Sequence, residues 1–338
     1  MAIKIAIVVP TNDKFEAIFG YADILRISLI KYESDVSIFF YSSSKRLNND
    51  YPNYLKHTTD LNISEFDVLI LNYVGYGYSR IGVPFHLVFL MLFSRFRGLK
   101  TITIFHELHA SFKSSFLLGK GLTFLQKINW LLVGAFSHSI ASTNSIMFKM
   151  LSFFDNKVHF LPLYSNIPVK RMMLSIRNNS AAVFGTIGRR KEVYRRILEY
   201  QDTLSQVIEG IIDIGDVDEE LKTIVSRFKI KTSLLGLLEN EKIADILKTV
   251  TVGFIDYPSH LLEKSGVFAA YASYGLCVVN TNGEKHHSEG DELIEGVHYF
   301  SIQNFSSANF DYNNKLVDWY SHRTPDTVGK KIKQILLS

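Results

Sequence analysis

Val183-Phe-Gly-Thr-Ile-Gly-Arg-Arg-Lys191 is the stretch on which the reading of this chain turns. An apolar run, Ala181–Ile187, has the composition of a buried strand, breaks at glycine, and is followed at once by three cations and the helical periodicity of Glu192–Tyr200. A glycine turn lets backbone amides approach an anion, and clustered guanidinium and ammonium groups neutralise a diphosphate. The alternative is a basic first turn on a surface helix, where positive charge opposes the helix dipole. A bound anion would offset that cost.

The arrangement recurs downstream. Pro258-Ser-His-Leu-Leu-Glu-Lys-Ser-Gly266 follows the apolar strand Val252–Ile255 and opens a helix over Gly266–Tyr274, so Lys264 and the amides of Ser265, Gly266 and Val267 form a second anion cradle. Between the two turns lie strands Val207–Ile214 and Ser233–Leu235 and helices Asp218–Phe228 and Glu241–Lys248, with strand Cys277–Asn280 after them and a last helix over Thr327–Leu337. The first half alternates in the same way: strands at Lys4–Val9, Val36–Tyr41, Phe66–Leu71, Lys100–Phe105 and His138–Ser142, and helices at Tyr21–Lys31, Pro84–Phe93 and Leu122–Val133. Apolar strands alternating with helices imply parallel sheets covered on both faces. The Leu161–Ser180 stretch, with Pro162, Asn166, Pro168, Lys170, Arg171, Asn178 and Asn179, interrupts the pattern. Two α/β doubly wound domains are therefore expected, at residues 1–165 and 181–322, with 166–180 as linker and 323–338 as a helix packing back on the first. Such a pair places a ligand cleft at the carboxyl ends of both sheets.

Composition narrows the class. Of 338 residues, 47% are hydrophobic and 21% charged, which excludes disorder and fibrous repeats. A lone Cys277 cannot form an internal disulfide and suits a reducing, cytoplasmic setting. The longest apolar run, Val83–Phe93, contains His86 and is far shorter than the roughly 20 residues of a membrane span. Residues 1–170 hold 17 Lys+Arg against 11 Asp+Glu and the remainder 20 against 22, so the net +4 is the sum of +6 and −2. Arg80, Arg95, Arg97, Lys100, Lys113, Lys120 and Lys127 lie near the apolar helices of the first half, where they read either as a solvated face or as a surface for anionic lipid or phosphate. There is no Gly-x-Gly-x-x-Gly, Walker loop or nucleophile elbow, and so no support for a dehydrogenase, ATPase or esterase.

Several of these motifs resemble the retaining glycosyltransferases of the GT-B fold, in particular the large family-four group of bacterial polysaccharide and O-antigen enzymes. The matching residues are Gly188-Arg189-Arg190-Lys191, Pro258-Ser259, Glu263-Lys-Ser-Gly266 and Gly275-Leu-Cys-Val-Val279, with Leu234-Leu-Gly-Leu-Leu-Glu239 like that family's base-side loop. In the first half, Thr103-Ile-Phe-His-Glu-Leu-His109 resembles its strand-end His motif, and Asn72-Tyr-Val-Gly-Tyr-Gly77 a loop of some members. The resemblance implies two Rossmann-like domains facing across a cleft and a metal-independent, retaining transfer of sugar from a nucleotide-diphospho sugar, with UDP or GDP as carrier. The acceptor would be a saccharide or lipid-linked saccharide in surface polysaccharide synthesis, at the inner face of the membrane and without nucleic acid. It implies Gly188, Arg189, Arg190, Lys191, Lys264, Ser265, Gly266 and Val267 on the diphosphate; Leu235, Gly236 and Leu237 beside the base; His106, Glu107 and Glu263 as catalytic groups; and Gly20, Tyr73, Gly75 and Tyr76 in acceptor-side loops. No resident cofactor is implied. The family's second Glu, eight residues after the first, falls here on Tyr271, and counting back from Gly275 gives Ala270.

Other patterns have plainer explanations. Adjacent His286-His287 rarely reach one ion, and with His109 they make a weak metal set. Asp216-Val-Asp218 imitates a metal-binding carboxylate pair but precedes a helix, where N-capping accounts for it. Two alternatives stay open: a non-catalytic GT-B-like binding subunit, and a nucleotide-sugar 2-epimerase on the same architecture.

Overall fold

The computed structural model describes residues 2–11, 17–32, 34–42, 52–108, 117–169, 177–283, 293–307 and 313–337. The chain divides into two compact units, Met1–Pro162 with Pro325–Ser338, and Leu163–Thr324.

The first unit is built on a seven-stranded parallel sheet: β1 (Ile3–Thr11), β2 (Ser34–Ser42), β3 (Leu55–His57), β4 (Val68–Tyr73), β5 (Lys100–Phe105), β6 (Ser139–Ser142) and β7 (Val158–Phe160), in the order β3-β2-β1-β4-β5-β6-β7. Ile5 pairs with Val36 on one side and Val68 on the other, so the direction of winding reverses between β1 and β4. Every residue of β4 is buried, as the continuous apolar run of a two-sided parallel sheet requires. The helices are α1 (Ala17–Ile30), α2 (Gly75–Tyr78), α3 (Phe85–Phe96), α4 (Leu117–Phe136) and α5 (Ser145–Leu151). Helix α1 begins earlier than its periodicity predicts, so Gly20 is helical rather than part of a loop. The chain's last helix, Pro325–Leu337, belongs to this unit: Lys31 pairs with Asp326 (2.8 Å), and Lys100 Nζ donates to the carbonyl of Leu336 (2.7 Å).

The second unit repeats the plan with β8 (Asn178–Phe184), α6 (Ile187–Leu198), α7 (Gln201–Leu204), β9 (Gly210–Ile214), α8 (Glu219–Val225), β10 (Lys231–Leu234), α9 (Asn240–Leu247), β11 (Val250–Ile255), α10 (Gly266–Ser273), β12 (Cys277–Asn280), β13 (Phe300–Ser301) and α11 (Asn314–Ser321). Its parallel sheet runs β10-β9-β8-β11-β12-β13, with the winding reversal between β8 and β11. The expected linker is partly structural: Ile167 is buried in this unit's core and Asn178–Ser180 open β8, while Lys170 and Arg171 lie outside the described residues. Helix α6 starts at Ile187 rather than Glu192, which moves Gly188–Lys191 from the turn into the first helical turn. Cys277 is buried, and burial pushes its thiol up to about 12. Among the described residues, no helix is long and apolar enough to cross a membrane.

Candidate functional site

In an open doubly wound sheet, ligands bind outside the carboxyl ends of the strands where the winding reverses. In the second unit that place is the mouth between β8 and β11. Gly185 follows β8 at φ 130°, a conformation few other residues adopt, and a Cβ there would stand 3.4 Å from Val267 Cγ2. The β8–α6 turn and the start of α10 are therefore neighbours at this mouth. The first amides of each helix lack intrahelical partners, and each N-terminus carries the positive end of a helix dipole. Ser265 caps α10 by accepting from the Phe268 amide (3.2 Å), while Gly188 and Gly266 leave open space on the side where a Cβ would stand.

The three cations after Gly188 take three different roles. Arg189 is half exposed; its guanidinium lies 3.4 Å from the Asp256 carboxylate and 5.2 Å from the Tyr257 ring centre. Arg190 is interior. It pairs with buried Asp213, donates to the carbonyl of Gly185 (3.0 Å) and bonds the carbonyl of Asp216. Burial pushes the Asp213 carboxyl up, against the pull of the guanidinium. Lys191 is held by Asp218 (2.6 Å) and Glu220 (2.5 Å), whose hydrogen bonds push its ammonium up from the usual lysine value. Arg190 and Lys191, expected on the diphosphate, are thus held by carboxylates of the protein itself, and Arg189, on a longer contact with Asp256, is the most exposed of the three. Asp218 also caps α8 by accepting from the Leu221 amide (2.9 Å), as the capping reading predicted.

Sequence reasoning missed the polar floor of this mouth. Asp256, 6% exposed at the end of β11, accepts from Thr281 (3.2 Å) and Asn282 (3.4 Å) after β12, and Asn280 bridges to the backbone of Tyr257. The available signal was a carboxylate directly after an apolar strand. Lys264 is half-buried in the short 3-10 turn Ser259–Lys264 that leads into α10. Glu263, expected as a catalytic group, is buried and faces Arg323 at 3.4 Å. At the position of the missing second Glu, Tyr271 is core, its hydroxyl donating to the carbonyls of Ala182 (3.0 Å) and Phe254 (3.2 Å). Leu235 and Leu237 are exposed at the carboxyl edge beyond β10, and Gly236, at φ 71°, gives its carbonyl to the Gly215 amide (2.9 Å).

In the first unit, His106 follows β5, 5% exposed, with Nε2 3.0 Å from Asn72 Oδ1 and its ring edge-on to Tyr21. Asn72, near the end of β4 and next to the winding reversal, is the partner that sequence reasoning left unassigned. Glu107 is exposed beside it. The acceptor-loop reading of Tyr73 is corrected: it ends β4, fully buried, donating to Asn129 (2.9 Å), and burial raises its hydroxyl far above its ordinary value. Gly75 is buried in α2, and Tyr76 alone of this set is exposed, its hydroxyl accepting from Gln126 (2.9 Å). His109, His286 and His287 lie outside the described residues, among which no cluster of three metal-ligating side chains occurs.

No protein-family model matches the sequence, and no curated protein matches it. Solved structures match it over nearly its full length. An α-glucosyltransferase in complex with UDP is 11% identical, with TM-score 0.60 and 100% of both chains covered. The fold is GT-B. WaaG, a glycosyltransferase involved in lipopolysaccharide biosynthesis, is 8% identical, with TM-score 0.61 over 98% of this chain and 99% of its own. A putative UDP-N-acetylglucosamine 2-epimerase from Listeria monocytogenes is 11% identical, with TM-score 0.64 over 99% and 96%. GT-B architecture thus accounts for both sheets of this chain, and at these identities it is the fold that is shared.

Proposed function

We propose that the chain is a glycosyltransferase that binds the diphosphate of a nucleotide sugar at the β8–β11 mouth. The observation that carries this reading is the close approach of the β8–α6 turn to the start of α10, Gly185 beside Val267, with Arg189 half exposed in the first turn of α6. Amides and a guanidinium in that position stabilise charge developing on the leaving nucleotide as the glycosidic bond breaks, without calling on a metal. Lys264, at the entry to α10, adds a second cation. The exposed leucines beyond β10 offer an apolar surface for the base, and the GT-B relatives solved with UDP and UDP-glucose favour a uridine carrier. The sequence resemblance adds retention of anomeric configuration, a saccharide or lipid-linked acceptor, and His106 as the group that meets sugar or acceptor hydroxyl, in a cytoplasmic enzyme of surface polysaccharide synthesis. Asn72 Oδ1 can only accept, so it holds the proton on Nε2 and makes Nδ1 the accepting nitrogen of neutral His106.

A thermal-shift panel of UDP, GDP, CMP, ADP and dTDP, with and without EDTA, tests the donor site. A ligand that binds only the folded state raises the midpoint as its concentration exceeds its dissociation constant. A shift with one diphosphate nucleotide that persists in EDTA is expected; no shift with any of them returns the chain to the non-catalytic reading. The epimerase neighbours support a second reading. Conversion of UDP-N-acetylglucosamine to its 2-epimer in the absence of any acceptor would select it.

A further inference from the structure

We propose that Asp256 is the residue by which this site recognises the transferred sugar: its carboxylate accepts a sugar hydroxyl, and its contact with Arg189 is the arrangement that ligand replaces. The inference rests on the donor reading above and deepens it. Asp256 follows β11 directly, at the β8–β11 mouth, and is buried. A carboxylate has about four lone-pair sites, and charge-assisted bonds to it typically run at about 2.5–2.9 Å. The partners of Asp256 all stand farther off. Arg189 and Asn282 each reach Oδ1 at 3.4 Å, and Thr281 Oγ1 reaches Oδ2 at 3.2 Å. The single Thr281 hydroxyl proton is also drawn to the Ile255 carbonyl, at 3.3 Å, so it cannot serve both oxygens fully. A buried carboxylate held this loosely keeps acceptor capacity for a ligand.

Strand order says which part of the ligand reaches it. The sheet runs β10-β9-β8-β11-β12, and Leu235 and Leu237 are exposed beyond β10. A nucleotide with its base on those leucines and its diphosphate at the β8–β11 mouth extends its sugar over β11 and β12, where Asp256, Thr281 and Asn282 stand. A sugar ring presents hydroxyl donors, which suit a carboxylate, whereas the phosphates present negative charge, which suits a guanidinium. Binding thus exchanges partners: Arg189 turns to phosphate, and Asp256 Oδ1 takes a hydroxyl in its place. Against the nucleoside diphosphate alone the exchange is incomplete, and Asp256 adds only like-charge repulsion. Such a site prefers the sugar conjugate to the bare nucleotide, because a buried carboxylate left without its hydroxyl is penalised.

The test is titration calorimetry of UDP, UDP-glucose, UDP-galactose and UDP-N-acetylglucosamine, with GDP and GDP-mannose, on the full chain and on Asp256→Asn and Arg189→Ala. Asparagine keeps the shape and an accepting oxygen but loses the charge. For the conjugate that wild type binds most tightly, Asp256→Asn should lower affinity about 10-fold. The matching nucleoside diphosphate should bind this variant as well as wild type or a few-fold better, which also shows that the variant is folded. Arg189→Ala should weaken conjugate and nucleoside diphosphate alike, because both carry the phosphates. The two halves of one ion pair then give opposite signatures. Parallel loss of both ligands in Asp256→Asn would make the residue a brace of the mouth and overturn the inference. Unchanged affinity for every ligand in that variant would overturn it too, while leaving the donor reading in place. A wild-type chain that binds none of these nucleotides removes the donor reading itself, and this inference with it.

Discussion

Arg190 and Asp213 form an ion pair inside the second unit, their side chains 1% and 0% exposed, directly beneath the turn that carries the proposed donor site. The same guanidinium holds the carbonyls of Gly185 and Asp216, so one residue ties the end of β8 to the end of β9. Gly215, at φ 141°, makes the arrangement possible, because a Cβ there would meet the Arg190 guanidinium at 2.8 Å. The shape of the proposed donor site rests on this pair.

Removing one partner should therefore be costly. Arg190→Ala leaves Asp213 buried without its cation, and about 3–5 kcal/mol of stability is expected to be lost. Urea unfolding followed by circular dichroism measures it. Arg190→Met combined with Asp213→Leu should recover much of the loss, because the desolvation of both charges disappears together. A single-variant loss under about 1 kcal/mol, as for an exposed pair, would show that the pair is not buried in solution.

Arg189 should behave in the opposite way. It is half exposed and its contact with Asp256 is long, so Arg189→Ala is expected to leave the unfolding midpoint almost unchanged. Loss of one charge-assisted contact to a diphosphate costs about 1.5–3 kcal/mol, roughly 10- to 150-fold in nucleotide affinity. Lys264→Ala should show a loss of the same order, and Lys191→Ala, whose charge is met by Asp218 and Glu220, almost none. Titration calorimetry separates the three, and equal affinities throughout would remove the diphosphate from this mouth.

The alternation of apolar strands and helices was legible in the sequence because both sheets are buried on both faces; Lys100–Phe105 and Cys277–Asn280 have the predicted bounds. The short edge strands Leu55–His57 and Val158–Phe160 were not, since three residues carry too little periodicity to read. Residue type located the cation cluster but not the direction of each side chain. Arg189 and Arg190 are adjacent, and helical geometry sends one outward and the other to a carboxylate 23 residues away. Asp256 and Asn72 went unassigned because their role arises from strand order, which brings them to the winding reversals.

His106 supplies a test that separates chemistry from packing. With Nε2 fixed by Asn72, its ring is held in one orientation at the end of β5. His106→Ala should lower turnover by about 10²–10⁴-fold if the ring moves a proton, with nucleotide affinity little changed because the proposed nucleotide site lies on the second unit. Asn72→Leu should lower turnover less and shift its pH profile, since the tautomer is no longer imposed. Parallel loss of turnover and nucleotide affinity in His106→Ala would mark the residue as structural.

Acid should weaken the first unit. His138 Nδ1 accepts the Thr101 amide proton (3.1 Å), a bond that only the neutral ring can make through that atom. Partial desolvation, followed by the charges of Arg95, Lys157 and Lys100, lowers its pKa from 6.5, and burial lowers those of His86 and His159. A histidine whose folded pKa is depressed binds its proton more readily when unfolded, so its contribution is complete above 6.5 and is lost as pH falls below that value. The melting temperature is expected to drop between neutral pH and mildly acid pH, by roughly 2–4 °C for each kcal/mol in a unit of this size. His138→Asn keeps an acceptor for the Thr101 amide but cannot be protonated, so it should flatten the dependence. An unchanged slope in that variant would place the acid sensitivity elsewhere, and a melting temperature that rises on acidification would reverse the sign of the argument.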